Sequence, residues 1–445
     1  MRRLRLASAT VAVVLLAACS GSDAVSIDRS AGGAPSEIDE GSRPDAEGSR
    51  PGADPSQPPA PSPAPPKGPL YRAASDKNEL ASFTLDMTDV TSDGTIRLVS
   101  GKGHEGSDPQ PSGYYGGSFY NGGDFRYGTA ISPVFEASAP FDSVTPSFEA
   151  LTPPGTWIHI KVSARIAGTW TKEYSLGVWA DGDSTIRRHS VANQADANGD
   201  VETDTLELTK PADALRITTV LFSETKTASP ILRAVSAIAT KKGATSTATQ
   251  SDQSAWGKVL AVPKRSQMIY PGGGEVWCSP TSTSMLLDYW ADTLGANGLR
   301  ETPPQAADRC HDHVYNGTGN WPFNTAHAAA MDGGRLHGFV TRLSSFSQLE
   351  RLTNAGVPAA ISVRYAKGQL EGAPIASTNG HLIVVKGFSA NGNVVCNDPA
   401  FGSDASVEVT YDRKELTNAW QASMGTTYVV WPANKTLPAD PLGAF

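Results

Sequence analysis

The sequence predicts an all-β antiparallel sandwich, jelly-roll-like in character, followed by an α+β domain. About 375 residues follow a low-complexity N-terminal region, which is too long for a single ordinary hydrophobic core. Apolar alternation of period two dominates residues 70–242, and clear helical signals begin only after that point. In the second part the helical segments come first and a run of strands follows, an order typical of α+β domains.

The first residues predict export and a lipid anchor. In MRRLRLASATVAVVLLAACS, three arginines precede an apolar run of signal-peptide length, too short to span a membrane as a stable helix. The run ends in Leu16-Ala17-Ala18-Cys19, which resembles the lipobox of bacterial lipoproteins, where the cysteine is lipidated and begins the mature chain. An ordinary cleaved signal peptide is the alternative. We expect an extracytoplasmic protein that is anchored to the bacterial cell membrane through Cys19.

Composition argues against nucleic acid as a partner. The formal net charge is −8, and loss of residues 1–18 removes Arg2, Arg3 and Arg5 but no acidic residue, which gives −11. An acidic chain without a basic block is a poor ligand for nucleic acid. Residues 19–69 are rich in Pro, Gly, Ser, Asp and Glu and offer too little apolar surface to offset the entropy of ordering, so we expect a disordered tether.

At least seven strands are expected in the first domain, and no convincing helix interrupts them. Clusters of Gly, Asp, Asn and Pro separate β-branched or alternating runs: SFTLDM, GTIRLVS, WIHIKVSARI, EYSLGVWA, DTLEL, ALRITTVLF and ILRAVSAIAT. The segment YYGGSFYNGGDFRYG (Tyr114–Gly128) is dense in aromatic residues. Exposed aromatics could stack on sugars and form a glycan-binding face. The favoured alternative is a glycine-rich loop whose aromatics pack on the sandwich.

The second domain shows helix signals followed by strands. Helices are expected over Ser279–Ala291, around Asn324–Asp332, and over Ser347–Ala355 with a Ser347/Glu350 capping box. Strands are expected at PAAISVRY, HLIVVKGF, NVVCND, VEVTYD and TTYVVW. The expected organisation is a signal peptide (1–18), tether (19–69), sandwich (70–242), linker (243–256), α+β domain (257–436) and C-terminal tail (437–445).

The stretch GGGEVWCSPTSTSMLLDYW places a cysteine beside a helix start. Pro280 favours the first helical position and Ser279 the N-cap, while Leu286 and Trp290 fall at the spacing of a core face. Cys278 then lies just outside the helix N-terminus, where backbone N–H groups and the helix dipole lower the pKa of a thiol. From this pattern alone, a small buried residue or half of a disulfide is an equally good interpretation.

A cysteine nucleophile needs a base, and the base needs an orienting partner. His381 opens the apolar strand HLIVVKGF, and Asp398 ends the next strand, NVVCND. Adjacent strands would bring the two residues together, and Asp398 could hold the imidazole in the tautomer that accepts the thiol proton. A plain turn is the alternative for Asp398.

One other cluster carries ligand-type side chains. Cys310, His311 and His313 could suggest zinc, but no fourth ligand at metal-site spacing is evident. The sequence therefore predicts neither a metal nor another cofactor.

Residues 260–431 resemble the papain-like cysteine peptidases related to the bacteriocin-processing, double-glycine-cleaving enzymes. The matching pieces are VPKRSQM, WCSPTSTSMLLDYW, NGTGNWPFNTAHAA, STNGHLIVVKGF and VVCNDPAF. The resemblance implies a papain-like α+β fold with Cys278 as nucleophile, His381 as base and Asp398 as orienting residue. It also implies that Gln267 is an oxyanion-hole donor, together with the Cys278 backbone N–H.

The chain departs from this family's pattern in two ways. The family commonly has Cys-Gly-Pro-Thr where this chain has a serine at position 279, and that serine is still compatible with a helix cap. No ATP-binding or membrane-spanning transporter region follows, so processing of toxin leaders during export is not expected.

The number of cysteines affects which thiol is free to act as the nucleophile. With Cys19 lipidated, Cys278, Cys310 and Cys396 remain in an oxidising compartment. A Cys310–Cys396 disulfide would leave Cys278 as the reactive thiol.

We therefore expect a surface-anchored cysteine peptidase that hydrolyses peptide bonds of a peptide or protein substrate through a Cys278 thioester. The alternatives are a cell-wall peptide amidase or endopeptidase and a non-catalytic lipoprotein that binds glycan or protein.

Overall fold

The computed structural model describes residues 70–107, 119–120, 122–243 and 250–445. The predicted signal peptide, the lipidation site Cys19, the tether, residues 244–249 of the linker, and Tyr114 and Tyr115 of the aromatic segment lie outside the described residues. No helix within the described ranges is long and apolar enough to cross a membrane.

The first folded part is an antiparallel β domain with one short helix. Hydrogen bonds join its thirteen described strands into one sheet, whose main order is β10-β8-β12-β7-β13-β4-β3. The elements are β1 Leu70–Ala74, α1 Lys77–Leu80, β2 Thr84–Asp86, β3 Thr88–Val90, β4 Ile96–Leu98, β5 His104–Ser107, β6 Asp124–Ile131, β7 Phe135–Leu151, β8 Thr156–Ile166, β9 Thr169–Trp170, β10 Tyr174–Trp179, β11 Gly199–Glu202, β12 Thr205–Ser223 and β13 Ile231–Thr240.

The antiparallel β prediction is confirmed, but the short helix α1 and the strands β1, β5, β6 and β7 were not expected, and one predicted pair of strands is a single strand. The runs DTLEL and ALRITTVLF form one strand, β12, which pairs with β7 and β11 at its start and with β6 and β8 towards its end. The long strand β7 was not predicted because it contains Pro140 and Pro146, and proline normally interrupts a strand. Pro146 nevertheless lies in the ladder, opposite Ala237 of β13.

The described aromatics of the glycine-rich segment pack on the sheet. Phe119 and Tyr120 are buried, and the Tyr120 ring lies 5.0 Å from that of Trp157. Trp157 in turn stacks on Phe222 at 5.0 Å, and Phe125 meets both rings edge-on. These contacts agree with the packing alternative for this segment, although its last five residues, 124–128, belong to strand β6 and not to a loop.

The second folded part is a mixed α/β domain around a six-stranded antiparallel sheet of order β14-β19-β15-β16-β17-β18. Its elements are α2 Cys278–Leu294, α3 Pro303–Cys310, α4 Trp321–Gly334, β14 Leu336–Arg342, α5 Phe346–Asn354, β15 Ala359–Tyr365, β16 Thr378–Phe388, β17 Val394–Asn397, β18 Glu408–Tyr411, α6 Arg413–Gln421 and β19 Thr426–Pro432.

All five strands expected here are present, but three other elements were not predicted and two predicted helix caps, those of α2 and α5, are wrong. The elements α3, β14 and α6 were not predicted. Helix α5 begins at Phe346 with a Ser345/Gln348 capping box, so the predicted Ser347/Glu350 box is wrong. Glu350 is fully buried and accepts a hydrogen bond from the Trp256 indole at 2.8 Å, which keeps it away from the helix start.

The two domains share a buried interface formed largely by β7, α4 and β14. Phe323 of α4 enters the core of the first domain, where its ring lies 5.3 Å from that of Trp179. Asp204, in the β11–β12 turn, is fully buried and accepts the backbone N–H of Trp321 at 2.6 Å. Because Trp321 is the first residue of α4, the first domain helps to cap a helix of the second.

Candidate active site

Cys278 is the first residue of helix α2 and is 1% exposed. A glycine loop and a short 3₁₀ turn, Gly274–Val276, lead directly into the helix. The first four N–H groups of a helix have no intrahelical partner, and the helix dipole is positive there. The thiol therefore lies where an anionic sulfur is favoured.

The predicted first helical position, Pro280, lies two residues after the observed one. The helix begins at Cys278 because the Thr281 N–H already bonds to the Trp277 carbonyl, at 3.0 Å. Ser279 lies inside the first turn and is not the N-cap, and its hydroxyl contacts the Tyr428 hydroxyl at 2.8 Å. Pro280 is tolerated in this turn because the N–H that it lacks would have no intrahelical acceptor.

His381 and Asp398 are in direct contact. The imidazole Nε2 lies 2.7 Å from Asp398 Oδ1, and both side chains are almost fully buried. β16 and β17 are antiparallel neighbours. The beginning of β16 and the residue that follows β17 therefore lie at the same end of the two strands. This is how residues separated by 17 positions come together.

Two further donors hold the Asp398 carboxylate. The Tyr411 hydroxyl donates to Oδ2 at 2.7 Å, and the Ala400 N–H donates to Oδ1 at 3.0 Å. Burial, with Asp398 beside it, raises the pKa of Tyr411 far above its usual value, so the phenol keeps its proton and remains a donor. Tyr411 therefore fixes the carboxylate that orients the imidazole.

A buried hydrogen bond brings helix α2 to the strand of the histidine. Ser282 lies one helical turn after Cys278, and its hydroxyl donates to the Leu382 carbonyl at 3.1 Å. Leu382 directly follows His381. The bond therefore ties the first turns of α2 to the chain at His381.

Gln267 lies against the glycine loop before the cysteine. Its backbone N–H donates to the Pro399 carbonyl at 2.9 Å, and its Nε2 donates to the Gly274 carbonyl at 2.8 Å. Gly274 is required by this close approach, since a Cβ there would lie 2.2 Å from the Gln267 carbonyl oxygen. One of the two Nε2 hydrogens of Gln267 is thus bonded to the loop, and the second remains able to donate a hydrogen bond.

The expected Cys310–Cys396 disulfide is not formed in the structure, where both residues are buried thiols. Cys310 ends α3 and Cys396 lies in β17, in different surroundings. The charged groups around Cys310 include Glu301, Asp181 and two arginines, whereas those around Cys396 are Asp398 and Lys386. Burial raises the pKa of both thiols well above the usual value, which makes both poor nucleophiles.

The cluster considered for zinc does not assemble. The His311 and His313 rings lie 4.8 Å apart, and His313 contacts Asp183 of the first domain at 3.2 Å. In the described part of the chain, no group of three or more His, Cys, Asp or Glu side chains could hold a metal ion.

Some of this arrangement follows from sequence patterns and some does not. Cys278 at a helix start and the proximity of His381 to Asp398 were both expected. Tyr411 and Ser282 were missed, because a tyrosine at a strand end and a serine in a helix carry no local signal for such contacts.

A thiol at a helix start and a buried imidazole–carboxylate pair on neighbouring strands define the type of site found in thiol-dependent hydrolases. Residues 259–428 match the Peptidase_C39 like family, and residues 70–240 match the Peptidase C39 N-terminal domain. Each folded part thus matches a domain model of the peptidase C39 type, and together the two matches support a C39-related peptidase.

Other comparisons add little. No curated protein matches the chain. Among solved structures, the cleaved adhesin domain of Lys-gingipain from Porphyromonas gingivalis is 14% identical with a TM-score of 0.15, over 37% of this chain and 97% of that one. A likeness this weak carries no functional argument.

Proposed function

We propose that this protein is a surface-anchored cysteine peptidase with a papain-like catalytic domain, acting on a peptide or protein. The observation that supports the proposal most is the buried His381–Asp398 pair, since Ser282 in the first turns of α2, the helix that Cys278 begins, bonds to the chain directly after His381. Anchoring rests on the lipobox-like sequence that ends at Cys19.

The first half-reaction forms an acyl-enzyme. Asp398 contacts Nε2 of His381, so Nδ1 is the nitrogen that accepts the thiol proton. The Cys278 sulfur attacks the scissile carbonyl carbon, and the resulting oxyanion accepts hydrogen bonds from the Gln267 side chain and the Cys278 N–H. The C–N bond then breaks, the leaving amine takes the proton from His381, and a thioester remains on Cys278.

The second half-reaction is hydrolysis of the thioester. His381 removes a proton from water while the water oxygen attacks the thioester carbonyl. The carbon–sulfur bond breaks, and sulfur leaves with its electron pair. The products are a carboxylic acid and the regenerated thiol–imidazole pair.

Alkylation of the native mature chain by iodoacetamide tests the nucleophile. Cys310 and Cys396 are buried with raised pKa values and serve as internal controls. We expect a single label, on Cys278, with an apparent pKa well below the roughly 8.5 of an ordinary thiol. Cys278→Ala should take up no label, whereas Cys310→Ala should label like the wild type.

Turnover is measured with peptide mixtures and purified cell-wall fragments, comparing the wild type with Cys278→Ala. The wild type should cleave peptides and the variant should not. Cleavage of wall fragments alone would narrow the function to a wall peptide amidase or endopeptidase. Slow labelling of Cys278 together with an absence of cleavage would contradict the proposal and favour a binding lipoprotein.

A further inference from the structure

A cavity of about 210 Å³ lies between the two domains, beside the start of the strand that carries His381. Asn379 and Gly380, which directly precede His381, form one part of its wall. Glu207 and Lys242 of the first domain form another. The first domain therefore reaches the neighbourhood of the candidate active site.

Two buried N–H donors on the cavity wall have no acceptor within the described ranges. They are Nε of Arg342, whose residue is 3% exposed, and Nε1 of Trp321, whose residue is 6% exposed. A buried donor without an acceptor costs free energy comparable to a lost hydrogen bond. Since both atoms are donors, the group that would complete this cavity is an acceptor.

The charge on Arg342 is also uncompensated by direct contact. Its other nitrogens donate to hydroxyls, those of Ser143 at 2.8 Å, Thr240 at 2.5 Å and Thr145 at 3.2 Å. Across the described residues, no carboxylate makes an ion pair with this guanidinium. Burial lowers its pKa, as expected for a cation taken out of water. Buried charges in proteins are normally paired, so an anion is the fitting acceptor.

The remaining charges on the wall leave room for one negative charge. Glu207 and Lys242 form an ion pair at 2.7 Å, and Glu207, Asp204 and Asp142 act on the Arg342 guanidinium only from a distance. With Arg342, Arg364 and Glu202 included, the wall carries one more positive than negative charge.

We propose that this cavity is a substrate subsite that binds a carboxylate. One carboxylate oxygen accepts from the Arg342 Nε–H and the other from the Trp321 Nε1–H, which satisfies both donors and neutralises the buried charge. The carboxylate comes from an acidic side chain or from the free C-terminus of the substrate. The proposal rests on the proposed peptidase function for its link to catalysis, and it gives the first domain a part in selecting the substrate.

Binding is measured on the full chain carrying Cys278→Ala, so that no turnover occurs. Three matched probes separate the sources by ligand-observed NMR titration. N-acetylglutamic acid α-amide has only a side-chain carboxylate, N-acetylglutamine has only a terminal one, and N-acetylglutamine amide has none. We expect one of the two acids to bind at least tenfold more tightly than the neutral amide.

Variants tie the preference to the cavity. Trp321→Phe removes one donor and keeps the backbone N–H that Asp204 accepts, and it should weaken binding of the preferred acid about three- to tenfold. Arg342→Met should abolish the preference over the amide. Trp431→Phe is the matched control, since the Trp431 indole N–H already donates to the Lys435 carbonyl and lies outside this cavity.

If neither acid binds better than the amide, or if Trp321→Phe and Trp431→Phe bind the acids alike, the proposal is overturned. Should Arg342→Met fail to fold, Trp321→Phe still decides the matter. Because these measurements need no cleavage, they remain distinct from the test of peptidase activity. If the chain binds the acid but cleaves no peptide, the carboxylate site is supported and only its link to catalysis is rejected.

Discussion

Asp204 should make the stability of the domain junction depend on pH. It lies in the β11–β12 turn of the first domain and is fully buried. Its carboxylate accepts hydrogen bonds from the Trp321 backbone N–H at 2.6 Å and from the Thr205 hydroxyl at 3.0 Å. Burial raises the pKa of its carboxyl from 3.8 to about 7, against the opposing effect of these two donors. The informative substitution is Asp204→Asn, which keeps the size and shape of the side chain and removes its ionisable carboxyl group.

The sign and size follow from proton linkage. Between pH 3.8 and about 7, the folded chain holds a proton on Asp204 that the unfolded chain has released. The free energy of unfolding should therefore fall by about 1.4 kcal/mol per pH unit as the pH rises. Over the whole interval the loss is about 4 kcal/mol, and Asp204→Asn should lack this part of the pH dependence.

The assay is urea unfolding of both proteins at several pH values from 4.5 to 8. The stability of Asp204→Asn relative to the wild type should rise steadily as the pH increases, then level off above about pH 7. Asp89→Asn is the control, because Asp89 is exposed on β3 and loses the same charge without burial. A difference between Asp204→Asn and wild type that stays flat with pH would refute the reasoning and mean that the two donors keep Asp204 ionised.

Tyr411→Phe removes a donor to a buried carboxylate, a contact worth about 1.5–3 kcal/mol, and should lower kcat/KM roughly ten- to hundredfold while circular dichroism stays unchanged. Unaltered kinetics would mean that Tyr411 has no part in positioning Asp398. Asp398→Asn should reduce kcat/KM strongly, because the amide lacks the negative charge that stabilises the imidazolium, and wild-type rates would remove Asp398 from the mechanism. Gln267→Ala should reduce kcat roughly 10²–10³-fold with little change in KM, as expected of a donor to the transition state, and a change in KM alone would contradict that role. Mass spectrometry of the mature N-terminus should show acylated Cys19, and an unmodified terminus would rule out the anchor.

Local patterns predicted much of the fold and the central residues of the site. A helix was expected directly after Cys278 because its apolar positions recur at helical spacing, and a strand was expected at His381 because of a continuous apolar run. The Asp398 contact followed from the adjacency of two strands along the chain. These features depend on residues close in sequence, where propensity and periodicity act directly.

Errors arose where a distant contact overrode the local pattern. Ser279 has the chemistry of an N-cap, but its hydroxyl is used by Tyr428, 149 positions away. Glu350 has the side chain expected in a capping box, but its carboxylate accepts a hydrogen bond from the Trp256 indole instead. The Cys310–Cys396 pairing followed from counting thiols, and counting contains no information on the surroundings of either residue.

Sequence patterns alone predicted an all-β antiparallel domain, then an α+β domain, with a cysteine beside a helix start and a histidine and an aspartate on consecutive strands. Contacts between distant parts of the chain set what surrounds them: Tyr411 on the carboxylate, Asp204 on the first residue of α4, and Arg342 against Ser143, which is 199 positions away. Burial and hydrogen-bond satisfaction depend on which side chains meet in space. Periodicity shows that a face is buried, but it does not show what covers that face.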